Sequence, residues 1–319
     1  ETAAGDLLYF AANVLGYGEP RDPSRPYLYL RTNPGSAHHG LSRFIQEADE
    51  NSVTESLDLE PRGFLKTTLG TISYVLWRLA KNPEEAILIL TSNLEKAKMF
   101  LSEIKDHCEG NERMKALFPG LMPHPRGPWQ ADRIRIIGRL NPRKEPSITA
   151  MSIDQGRAGA HYDRIVCDDL HDEQNSTTAD QCHKVIQAFQ TLRPLLVDQR
   201  RGEIRVTGTR WHGNDVYGWM MERNSLALEK GKDPPVRVRV AAVMGEDGKP
   251  HWPEMYDEAE IEKIRGSMDP ETFASQYLND PFSGSTAIFK KADIDKAMVD
   301  LKEIPENLIY FASCDPGFE

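Results

Sequence analysis

The sequence predicts an α/β protein whose mainly parallel sheet is flanked by helices. Three observations carry that expectation. Short continuous apolar runs, at residues 85–92 and 164–170, have the length and composition of strands buried on both faces. The stretches between such runs are apolar at helical spacing, as at Leu94, Ala97, Phe100, Leu101 and Ile104. A Lys66-Thr67-Thr68 triplet lies between a turn containing Gly63 and the helical run Leu69, Ile72, Val75, Leu76, Leu79. Alternating strand and helix signals of this kind imply crossover connections and hence a parallel sheet.

Taken in order, residues 1 to about 55 are mixed, with a Pro- and Arg-containing stretch at 20–34 and an amphipathic helix at 38–46 that packs Leu41, Phe44 and Ile45. Phe44 or Gln46 could also hold a nucleobase. Residues 60–70 read as a phosphate-binding loop in which Pro61, Arg62, Gly63, Phe64, Leu65, Lys66, Thr67 and Thr68 would surround a nucleotide. At a helix N-terminus, free backbone N–H groups and the helix dipole favour a polyphosphate. Lys66 would reach the β- and γ-phosphates and Thr67 would ligate Mg²⁺. A strict G-x-x-x-x-G-K-[ST] pattern has glycines where this chain has Glu60 and Leu65. An ordinary helix start with an exposed lysine would look the same, so the loop's case rests on the residues downstream of it.

Downstream lie a strand at 85–92, a helix at 93–109, a Pro/Gly-rich connection at 118–128, and strands at 133–137 and 147–152. A glycine-flanked loop at 153–161 carries Arg157, a candidate phosphate contact in cis or from a neighbouring subunit. The strand at 164–170 ends in two acids, so that Asp168 would enter a Mg²⁺ shell and Asp169 would orient an attacking water. After a polar helix at 177–191, a strand at 203–212 carries Thr207, Gly208 and Thr209, the chemistry of a sensor for the γ-phosphate. The composition shifts near residue 224, and the chain closes on a strand at 308–317 that contains Asp315.

The bulk properties set limits. The chain has 319 residues, 39% hydrophobic and 28% charged, an ordinary globular balance. No run approaches the ~18 apolar residues of a membrane span, and an acidic start without a basic n-region predicts a cytoplasmic protein with no signal peptide. Four scattered cysteines argue against a disulfide framework or zinc site. A net charge of −10 excludes a surface basic all over. Arg193, Arg200, Arg201 and Arg205 cluster, and are read as a solvated loop flanking a strand.

In this order the motifs resemble those of the large terminase subunit of tailed double-stranded DNA phages, a DNA-packaging motor. The resemblance covers most of the chain. It rests on Pro61 to Thr67, Tyr74 to Trp77, Ile87 to Ser92, Asp168-Asp169, Thr207 to His212, Gln276 to Pro281 and Cys314 to Pro316. Such subunits tolerate a loop lacking the usual glycines. The resemblance implies a P-loop ATPase of the additional-strand type at 1–224, a small lid or linker subdomain at 225–306, and the start of an RNase H-like nuclease at 307–319. It also implies ATP and Mg²⁺ as cofactors. Double-stranded DNA, the portal protein and the small terminase subunit are the implied partners. The implied state is a homo-oligomeric ring on the portal, a monomer in isolation, in the host cytoplasm and transiently at the procapsid. Arg62 and Arg157 match positions given finger roles. Asp169, with Glu173 a turn later, leaves the catalytic carboxylate open between the two. Asp315 looks like the first nuclease metal ligand, and with the remaining acids absent no nuclease activity is expected. A helicase-like or remodelling ATPase and a non-hydrolysing nucleotide-binding scaffold are the alternatives.

Overall fold

Strands that are apolar on consecutive positions need cover on both faces, and helices on either side of the sheet provide it. The structure is a computed structural model and describes residues 2–20, 22–156 and 159–281. Seven strands form one sheet: β1 Glu55–Leu59, β2 Ile87–Thr91, β3 Arg133–Ile134, β4 Ile148–Ser152, β5 Arg164–Asp168, β6 Glu203–Gly208 and β7 Arg237–Val240. Their order is β3-β4-β2-β5-β6-β1-β7. Only the β3–β4 pair is antiparallel; every other neighbouring pair is parallel.

Before β1 come α1 Thr2–Gly5, α2 Leu7–Tyr9 and α3 Ala37–Glu50, and after it α4 Tyr74–Lys81. The later helices are α5 Leu94–Gly110, α6 Glu112–Leu117, α7 Ala179–Gln190, α8 Val216–Glu229, α9 Glu258–Gly266 and α10 Pro270–Leu278. The pleat of β2 divides its side chains between two cores. Ile87 and Ile89 pack with Leu41, Ile72, Trp77 and Leu101 on one face. Leu88 and Leu90 pack with Ile186, Phe189, Tyr217 and Met220 on the other. The expected mostly parallel, helix-flanked sheet is therefore the observed one.

The strand that leads to the loop carried no sequence signal, and its packing explains why. All five residues of β1 are buried although Glu55, Ser56 and Asp58 are polar. Burying a charge requires a partner. Arg205 and Thr207 of β6 both bond to the Asp58 carboxylate, and Arg205 Nε donates to the Gly70 carbonyl at 3.2 Å. Arg223 of α8 bonds to Glu55.

Two expectations are corrected here. Arg205 does not belong to a solvated loop; it is fully buried in β6 because Asp58 lies beside it. The division at residue 224 also moves, since α8 runs across it and β7 joins the main sheet beside β1. Residues 307–319, with Asp315, lie outside the described residues. Among those described, no helix is long and apolar enough to cross a membrane.

Arg205→Met removes the ion-pair partner of the buried Asp58 and leaves the Thr207 hydroxyl as its bonded neighbour. It is expected to destabilise the fold by about 3–5 kcal/mol, read from the denaturant midpoint.

Candidate active site

The chain leaves β1 through residues 60–65 and enters a helix at Lys66, which continues through a π-helical stretch, Thr68–Ser73, into α4. Two loop residues are left-handed, Gly63 with φ +82° and Leu65 with φ +53°. Leu65 holds one of the two positions where the strict pattern has glycine, and an L-residue there costs roughly 1–2 kcal/mol. Packing on the loop offsets that cost. The buried Phe64 ring stacks on Tyr256 at 5.2 Å and meets Trp252 edge-on at 5.7 Å. Tyr256 Oη donates to the Arg62 carbonyl at 3.1 Å, and the Arg62 N–H donates to the Gln276 carbonyl at 3.0 Å. A Cβ on residue 63 would stand 2.1 Å from Tyr256 Oη, so only glycine fits there.

Opposite the loop, β5 delivers two successive carboxylates with different surroundings. Asp168 is fully buried. Its Oδ2 accepts from Thr71 Oγ1 at 2.6 Å, while Oδ1 has no hydrogen-bond partner. Burial and the neighbouring Asp169 push its carboxyl up to about 6. Asp169, left-handed at φ +46°, turns its carboxylate toward Lys66 Nζ at 3.4 Å and Lys96 Nζ at 3.0 Å. Burial works against its charge, but the two lysines outweigh it and hold the group below the ordinary carboxylate range.

Asp169, Lys66 and Lys96 open on a cleft of about 230 Å³, whose lining does not include the fully buried Asp168. Arg62, Lys66, Asp169, Glu173 and Thr209 from the sequence reading line it together, and Lys96, His171, Asp172, Gln174, Trp211 and Gln276 complete its wall. Pro61 and Phe64 are buried beneath it, with Thr67 and Thr68 half-buried at the helix start. Thr207 stands apart from the other sensor candidates, because its hydroxyl is given to Asp58 inside the sheet. Thr209 donates to the Glu60 carbonyl at 3.0 Å, tying β6 to the loop. Gly208 is required by packing, since a Cβ would fall 2.5 Å from the Tyr217 ring. Arg157 lies outside the described residues.

Phe44 and Gln46 serve packing instead of a nucleobase. The Arg237 guanidinium covers Phe44 at 5.0 Å, and Gln46 accepts from Leu7 N at 3.1 Å and donates to the Gly5 carbonyl at 3.2 Å. A different recess of about 220 Å³ adjoins the loop, lined by Tyr17, Leu28, Tyr29, Leu65 and Thr68 among others. The sequence reading missed Thr71 and Lys96, and gave Trp211 no role beyond its place in the stretch Thr207 to His212. Thr71 lies one helical turn beyond Thr67, and Lys96 lies in the first turn of α5 behind its Asn93 cap, which accepts from Lys96 N at 2.9 Å. Both spacings were present in the sequence; the partners were not.

Fold and cleft thus define a helix-flanked, mostly parallel α/β protein with a lysine-bearing loop facing two strand-end acids. No model of a known protein family matches the chain. Over 150 residues it is 27% identical to the large terminase subunit of Enterobacteria phage T3, a stretch that is 46% of this chain and 24% of that protein. The crystal structure of the HK97 bacteriophage large terminase superposes with a TM-score of 0.51 at 16% identity, covering 85% of this chain and 55% of that one. The chain therefore spans about a quarter of the curated relative's length and about half of the solved structure's. It is similar to one large terminase subunit in sequence and to another in fold, which supports the resemblance drawn from the motifs.

The raised Asp168 carboxyl sets the sign of a pH effect. Its folded value, about 6, lies above the unfolded one, so ionising it costs stability as pH rises through that window. Asp168→Asn is expected to stabilise the metal- and nucleotide-free protein at pH 8 by on the order of 1–3 kcal/mol. The gain should vanish by about pH 4, near the unfolded carboxylate value, as followed by denaturation across pH.

Proposed function

We propose that this chain is the ATPase portion of a terminase large subunit, which hydrolyses ATP with Mg²⁺ to translocate double-stranded DNA into a procapsid. The observation that carries the reading is the meeting of Lys66, at a loop-to-helix junction, with the Asp169 carboxylate that directly follows β5. In this reading the loop is the P-loop, with Lys66 on the β- and γ-phosphates.

Asp168 suits a divalent cation, since it offers a buried carboxylate oxygen without a partner. Among the described residues no three metal-ligating side chains converge. Mg²⁺ carried in with nucleotide needs only one or two protein carboxylates. Asp168 would hold it with Thr67, and Thr71 would orient Asp168. Once bound, the ion would neutralise charge developing on the phosphates.

Phosphate entering the cleft competes with Asp169 for Lys66 and Lys96, which frees carboxylate oxygens. With those oxygens free, the ionised Asp169 carboxylate can accept a hydrogen bond from the attacking water and orient it. Glu173, exposed at the rim, is the alternative for that role. Arg62 in cis and Arg157, in cis or from the next subunit of a ring, are the candidate fingers. The apolar recess behind Leu65 and Thr68 would take the adenine, placing base and phosphates on opposite sides of the loop. The portal protein and small terminase subunit would be the partners of a ring assembled at the procapsid in the host cytoplasm.

Phosphate release tests the core of the reading. Lys66→Ala is expected to abolish ATP turnover without changing the fold. Asp169→Asn should keep ATP binding and lose hydrolysis. Turnover at the parental rate in Lys66→Ala rules the loop assignment out, and loss in Glu173→Gln but not Asp169→Asn moves the water to Glu173.

Base and phosphate binding can be read separately. Tyr29→Ala is expected to weaken ATP binding about 10-fold through lost stacking and to leave inorganic tripolyphosphate binding unchanged, both by calorimetry.

A further inference from the structure

The segment from Gln276 to Pro281 carried part of the resemblance, yet no chemistry was attached to it. Gln276 lies in α10, far along the chain from the loop, and is buried. Its side-chain Oε1 accepts from Arg62 Nη1 at 2.6 Å, and its backbone carbonyl accepts from Arg62 N at 3.0 Å. One residue therefore holds Arg62 at both ends. The Arg62 side chain is otherwise exposed at the cleft, with the Trp211 ring 5.8 Å from its guanidinium. An exposed arginine samples many rotamers, and a fixed acceptor removes most of them.

The acceptor is itself anchored. Asp269 caps the start of α10, accepting from Thr272 N at 2.8 Å. At its other end Asn279 takes a left-handed conformation, accepts from Arg210 N at 3.0 Å and donates to the Ala241 carbonyl at 2.7 Å. Arg210 comes directly after Thr209, so the same stretch that edges the cleft also fixes the helix carrying Gln276.

We infer that Gln276 is a positioning residue, which aims the Arg62 guanidinium into the cleft while leaving its charge available to an anionic phosphoryl group. An amide oxygen suits this role. It fixes the guanidinium with a hydrogen bond, whereas a carboxylate would also cancel its charge. The inference rests on the ATPase reading and adds a residue through which the C-terminal segment acts on the chemistry.

The test compares the parental chain, Gln276→Met, Arg62→Ala and the double variant. Each is measured for kcat, for KM and for binding of ADP with aluminium fluoride, a mimic of the transferred phosphoryl group. Gln276→Met is expected to lower kcat about 10- to 100-fold, as misplacement of a reacting group does. KM should stay within about twofold while the mimic weakens in step with kcat. In the Arg62→Ala background the same substitution should change neither. Parental kcat in Gln276→Met, or an equal loss in both backgrounds, overturns the inference. Should the Met variant fail to fold, Gln276→Glu keeps both hydrogen bonds but neutralises Arg62; it should also lower kcat, and parental kcat in it overturns the inference. A parental chain that neither binds nor hydrolyses ATP overturns the ATPase reading and this inference together. An active parental chain indifferent to Gln276 overturns this inference alone.

Discussion

The loop after β1 cannot hold its shape alone, and the rest of the site depends on that constraint. A leucine at φ +53° would relax in isolation. It does not relax here because Phe64 beside it is buried between Trp252 and Tyr256, and because Arg62 is hydrogen-bonded to Gln276 and Tyr256. Residues 194 and 214 positions beyond Arg62, Tyr256 and Gln276, thus help set the backbone that presents Lys66. A loop built on two glycines would need no such support. This one carries its conformation as a tertiary property, so a shift of the segment from Trp252 to Gln276 is transmitted to the lysine.

Electrostatics make a second layer on that scaffold. Two adjacent carboxylates end one strand, but their neighbours drive them apart: Asp168 is buried beside another acid and pushed up to about 6, while Asp169 is held down by Lys66 and Lys96. The pair therefore has one member driven toward its protonated form and one held ionised. The same logic operates deeper in the sheet, where Asp58 is tolerated because Arg205 and Thr207 meet it. Breaking such pairs is costly, which ties the register of β1 against β6 to charge as well as to apolar packing.

The central sheet was legible in the sequence, because β2 and β5 are apolar on consecutive positions and their helices keep a clean period. The acids at the end of β5 and the lysine before α4 were legible for the same reason: each stands at the boundary of a strongly patterned element. β1 was not, since Glu55, Ser56 and Asp58 look like a solvated stretch until their partners on β6 and α8 are known. Nor was β7, whose Arg237-Val-Arg-Val240 alternation is that of a half-exposed edge strand. Arg205 showed the opposite failure, a charge assigned to solvent that the fold buries.

What the sequence determined by itself is the list of chemical groups and their order along the chain: a lysine at a helix start, two acids at a strand end, hydroxyls on the next strand. Those come from local periodicity, which depends only on near neighbours. The tertiary structure alone decided which groups meet. Thr71 rather than a loop residue donates to Asp168, Lys96 shares Asp169 with Lys66, and Gln276 holds Arg62. The reason is physical: hydrogen bonds and ion pairs depend on distance in space, and β-strand order and helix crossovers bring together residues whose separation in sequence carries no trace of the contact.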